Sequence, residues 1–190
     1  MSPITIDSRT ADRWLMHYYA VRALFSAVWV ALTFTIGSSH PPIGVVLIVA
    51  YPLWDCLANY VDANRVGGLR INPTQMLNMV VSAIVTLGVV VTLPHGYHPV
   101  IAVIGAWAAL SGILQLATAV RRWRSASAQW PMILSGAQSA LAGAFFVKQA
   151  ADASTTLGVA DVAPYAAFGA IYFTISALVL LLRGRRTSDR

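Results

Sequence analysis

Six runs of mostly apolar residues, at 14–36, 42–60, 73–93, 99–120, 131–147 and 164–182, constrain this chain more than any other feature. Each is near the ~17–25 residues that carry a helix across a bilayer. Five of the six begin with proline, which is favoured at the start of a helix because its missing N–H is one of the unpaired donors there in any case. Asn72, immediately before Pro73, is a natural N-cap. The expectation is an all-α, polytopic membrane protein of six transmembrane helices in one membrane domain, residues 1–190. A 57% hydrophobic composition over 190 residues agrees with that class and not with a soluble domain.

Charge gives an orientation. Thirteen basic residues, twelve Arg and one Lys, flank the apolar runs. Arg9, Arg13 and Arg22 precede or open the first run; Arg65 and Arg70 separate the second from the third; Arg121, Arg122 and Arg124 separate the fourth from the fifth; Arg183, Arg185, Arg186 and Arg190 close the chain. All of these fall on one side, and only Lys148 falls on the other. Cytoplasmic loops hold the excess of Lys and Arg, so both termini, the N-terminal tail 1–13 and the C-terminal tail 183–190, are expected in the cytoplasm. The outer loops then fall at 37–41, 94–98 and 148–163. The first run lacks the basic n-region and small-residue cleavage site of a signal peptide and is expected to remain. The arginine clusters suit anionic headgroups of the lipid bilayer, and no nucleic-acid partner is expected despite a pI near 10.0.

The runs repeat. Ser26-Ala27, Ser82-Ala83 and Ser139-Ala140 sit 56 and 57 residues apart, and Asp55 and Ser111 are also 56 apart. Three helical hairpins, 14–60, 73–120 and 131–182, fit this register. Small residues at four-residue steps, Gly136, Ala140 and Ala144 among them, are a helix-packing pattern in membranes.

The segments "WPMILSGAQSALAGAFF", 130–146, and "GAWAALSGILQL", 105–116, resemble the hairpins of the HdeD-like acid-resistance membrane protein family. That resemblance implies a small six-span bacterial inner-membrane protein of repeated hairpins, linked to stress or acid tolerance, with no established catalytic activity. The first hairpin departs from the pattern, with Asp55-Cys56 where the second has Ser111-Gly112.

Asp55 is the most unusual residue in the runs, because a lone charge in hydrocarbon costs about 2.5–3.5 kcal/mol on insertion scales. Counting ~1.5 Å per residue from the outer helix ends gives it the depth of Arg22. An intramembrane polar network of Arg22, Asp55, Asn59 and Asn78 is expected, with Pro52 loosening the helix beside the acid. The alternative has Arg22 reaching to the interface and Asp55 protonated or hydrated.

Other chemistry is thin. All seven acids are Asp, so no mechanism needs glutamate; Cys56 is the single cysteine and offers no disulfide within the chain. His17 stands alone at the inner end of the first run, while His40, His95 and His98 share the outer face as a possible pH-sensing group or weak metal site. Neither a committed metal site nor a cofactor is expected, and no P-loop, dinucleotide fingerprint or nucleophile–base set occurs in the sequence. Trp14, Trp123 and Trp130 lie near the expected interfaces, whereas Trp29, Trp54 and Trp107 fall inside runs. The sequence therefore points to a non-enzymatic inner-membrane protein of envelope or acid stress, structural or partner-binding. The alternatives are a small transporter or proton-coupled carrier using the Arg22–Asp55 pair, and a subunit of a larger membrane complex or a homo-oligomer.

Overall fold

In a computed structural model the described residues, 8–65, 67–121 and 130–188, are almost wholly helical. Side chains are described from 13 to 182 except 66, 115 and 117–132. The basic cluster at Arg122 and Arg124, Trp123 and the ends of both tails lie outside the described residues, as do the side chains of Gln115 and Trp130. The six helices are α1 Ser8–Leu32, α2 Pro41–Arg65, α3 Pro73–Thr92, α4 Tyr97–Arg121, α5 Trp130–Ala151 and α6 Ala163–Ser188.

Each apolar run thus becomes a helix, extended by a few residues at its ends. Prolines 41, 42, 73, 99, 131 and 164 all fall within a first turn, where no position has an intrahelical acceptor for its N–H. Asn72 departs from the expected N-cap. Its side chain makes no capping hydrogen bond to α3 and donates to the Gly68 carbonyl at 2.8 Å and the Ala63 carbonyl at 3.4 Å. It closes the end of α2, where Gly67 and Gly68 turn the chain at φ 98° and 100°, a region glycine enters without steric cost. The first helix ends in a π turn, Thr33–Gly37, whose last carbonyl-seeking group is Ser38: both its N–H (3.0 Å) and its Oγ (2.9 Å) donate to the Thr33 carbonyl.

Among the described residues, five helices are long and apolar enough to cross a membrane: α1 with its π turn, α2, α3, α4 and α6. The protein is a membrane protein.

The described residues form two compact units. In the first, residues up to 31 and from 166 onward, α1 meets α6 through the stacked rings of Tyr19 and Phe173, 6.0 Å apart. In the second, Leu32–Tyr165, the most extensive packing is α4 on α5, then α2 on α3, with less between α3 and α4. The closest helix pairs of this unit therefore join the end of one expected hairpin to the start of the next.

Candidate functional site

Two features of the second unit stand out, a glycine seam and a polar seam. Along α4 and α5, small residues recur at matching places: Gly105, Ala109 and Gly112 on one helix, Gly136, Ala140 and Gly143 on the other. The backbones touch. A methyl group on Gly112 would lie 2.5 Å from the Gly136 carbonyl oxygen and 2.9 Å from the Ala140 Cα; on Gly143, 2.5 Å from the Gly105 carbonyl oxygen and 2.7 Å from the Ala109 Cα. Methyl groups on Gly105 or Gly136 would meet the opposite glycine's carbonyl oxygen at 3.0 Å. Within lipid, where apolar side chains gain nothing by leaving the tails, such backbone contact is a main source of helix association.

At one end of this pair, Tyr51, Trp107, Phe146 and Tyr165 pack edge to face at 6.1 to 6.5 Å, the favoured arrangement of ring quadrupoles. Ser139 Oγ lies 3.3 Å from the Tyr165 hydroxyl. Trp107 is thus a core residue.

The polar seam runs between α2 and α3. Asp55 Oδ2 accepts from Ser82 Oγ at 2.8 Å and from Asn59 Nδ2 at 3.1 Å, and Asn59 also donates to the Asp55 backbone carbonyl at 2.8 Å. Seven residues nearer the Arg65 end, Gln75 Nε2 donates to Asp62 Oδ2 at 3.2 Å. The two rungs share one antiparallel register, in which Asn59 stands opposite Asn78. Asn59 and Ser82 are buried, at 7% and 0% exposure. Asp55, Asp62, Gln75 and Asn78 are half-buried.

Of the residues singled out in the sequence, Asp55 and Asn59 are thus joined by hydrogen bonds, and the group that α3 turns onto the carboxylate is Ser82 rather than Asn78. Arg22 lies in the first unit. Its Nη1 donates to the Tyr18 hydroxyl at 2.9 Å, and its guanidinium carbon lies 4.3 Å from the Phe173 ring centroid, within cation–π range. The sequence reading missed Ser82 and the Asp62–Gln75 rung as partners, although the signal was present: continuing the Asn59–Asn78 register one turn each way gives both.

The outer histidines are each engaged separately. His40 Nδ1 contacts the Ile36 carbonyl at 3.1 Å, His98 Nδ1 the Ala150 carbonyl at 3.1 Å, and His95 lies exposed in the turn before α4. Among the described residues no three His, Cys, Asp or Glu side chains come together to hold a metal, so the weak metal site expected as an alternative is corrected: His40 and His98 contact two different backbone carbonyls and His95 lies exposed. Near His98, the Ser154 hydroxyl and N–H both donate to Asp152, at 2.6 and 3.0 Å, and these bonds hold its carboxyl below the usual range, with Thr155 and His98 acting in the same direction.

Comparison with known proteins matches one part of the chain. Residues 77–148 fit the family model described as a short repeat of unknown function, DUF308. This segment is similar to the DUF308 repeat. It spans most of α3, all of α4 and most of α5, and contains both segments that carry the HdeD-like resemblance, so that family fits. No curated protein and no solved structure matches the chain. The DUF308 segment includes the whole glycine seam.

Proposed function

We propose that this is a non-enzymatic, six-span protein of the bacterial inner membrane, with both termini cytoplasmic, that serves envelope or acid-stress homeostasis as a structural or partner-binding component. The observation that carries the reading is the coincidence of the DUF308 repeat with the α4–α5 seam: what the repeat builds is backbone-to-backbone helix contact, with a ring cluster at its end. The seam also supports a sixth span, since α5 is fastened along α4, which is itself apolar enough to cross. The stress role comes from the HdeD-like resemblance. Gentle extraction and native mass measurement test the reading: a second membrane protein, or a second copy, retained in fixed stoichiometry is the expected result. A lone chain whose deletion leaves growth after acid challenge unchanged would contradict it.

A second reading, a proton-coupled carrier, is favoured by one observation, the Asp55 carboxylate held by Ser82 and Asn59 inside a span. Proton uptake by proteoliposomes under a pH gradient, abolished by Asp55→Asn, is its expected signature.

A further inference from the structure

The α2–α3 register continues in both directions from Asp55, and its chemistry changes abruptly there. Toward the Arg65 end stand Asn59 opposite Asn78 and Asp62 opposite Gln75, ending at the Gly67–Gly68 turn between Arg65 and Arg70. Toward the other end the same register sets Pro52 opposite Val85 and Ile48 opposite Val89, all buried. The same register sets Tyr51 opposite Thr86, both buried, and Thr86 spends its hydroxyl on the Ser82 carbonyl at 2.7 Å. The seam is polar for seven residues, about 10 Å of helix, and then closes.

A second observation comes from Asp62. Its Oδ2 accepts from Gln75, but its Oδ1 is buried without a hydrogen-bond partner. A carboxylate oxygen in that position needs a donor, and water reaching it from the nearby membrane surface is the simplest one. Asp62, Gln75 and Asn78 form a half-buried mouth; Asn59 and Ser82 form a buried floor beneath Asp55.

We propose that the α2–α3 seam is a polar inlet that brings water and protons from the Arg65 end of the membrane to the Asp55 carboxylate, and no farther. It requires α2 and α3 to span the membrane; it does not require transport of a solute, so a negative result in the carrier assay leaves it standing.

Two measurements in sealed vesicles of known orientation test it. In the unsubstituted protein, a water-soluble carbodiimide with an amine should modify Asp55 when applied from the Arg65 side and not from the opposite side, read by peptide mass. Modification by a lipid-soluble carbodiimide alone, by the soluble one from the opposite side, or by neither would overturn the inlet. In a Cys56→Ser background, single cysteines replace Gln75, Asn78 and Met79, none of which bonds Asp55, and Leu77, which is exposed on the outer face of α3. A charged thiol reagent needs a hydrated thiolate, so the first three should react at least about tenfold faster than Leu77→Cys. Equal rates would overturn the proposal.

Discussion

Replacing Gly112 with alanine places one methyl group where α4 and α5 touch. It would lie 2.5 Å from the Gly136 carbonyl oxygen and 2.9 Å from the Ala140 Cα, closer still to the Ala140 N. All three are backbone atoms of the facing helix, so no rotamer change relieves the clash and the helices must part by about an ångström, which forfeits part of the dispersion attraction along the seam. Overpacking of this kind costs about 1–3 kcal/mol. For a chain of this size each kcal/mol corresponds to roughly 2–4 °C in Tm, so Gly112→Ala should melt about 2–12 °C below the parent in mild detergent. Gly88→Ala is the control. Its methyl would meet only a Val103 side-chain carbon at 3.2 Å, and alanine gains up to about 1 kcal/mol over glycine in helix propensity, so it should be neutral or slightly stabilising. Because the clash at one glycine opens the seam for the next, Gly112→Ala and Gly136→Ala should cost less together than the sum of the two. A Gly112→Ala protein as stable as the parent would refute the argument that the backbones are in contact.

Further outcomes follow from other parts of the chain. Ser82→Ala removes a donor from Asp55 and should cost about 1–3 kcal/mol, measured by the same melt, whereas Asn78→Ala should cost less. Asp152, with a depressed pKa, steadies the 152–155 turn above its unfolded value of about 3.8 and loses that effect only as pH falls through the lower folded value; Ser154→Ala removes the largest cause, so pepsin should cut this loop at a higher pH than in the parent.

The helices were legible because a bilayer demands long apolar runs, and proline marked their starts. Two things were less so. Asn72 has the composition of an N-cap, yet it serves the preceding helix, because two positive-φ glycines bring the Ala63 and Gly68 carbonyls within its reach; sequence adjacency alone does not say which helix an amide caps. The π turn at Thr33–Gly37 leaves no pattern in five apolar or small residues. At the candidate site, Asp55 and Asn59 were identifiable from their cost in lipid and their four-residue spacing. Ser82 was visible only as a small residue in a repeat, since its role depends on the register between α2 and α3. The glycines of α4 and α5 were readable as packing residues, and which of them face each other follows from the same kind of antiparallel register.

The position of α5 decides the account most directly, since the five candidate spans found among the described residues do not include it, and whether it crosses determines whether both termini lie on one side. In a Cys56→Ser background, single cysteines at Ser125, before α5, and at Ser154, after it, are labelled in intact cells with an impermeant maleimide, with Ser39→Cys as an outer reference. Six spans with both termini inside require Ser39→Cys and Ser154→Cys to react from outside and Ser125→Cys to react only after the membrane is opened. Reaction of Ser125→Cys and Ser154→Cys from the same side would show that α5 does not cross, and the six-span account would be wrong.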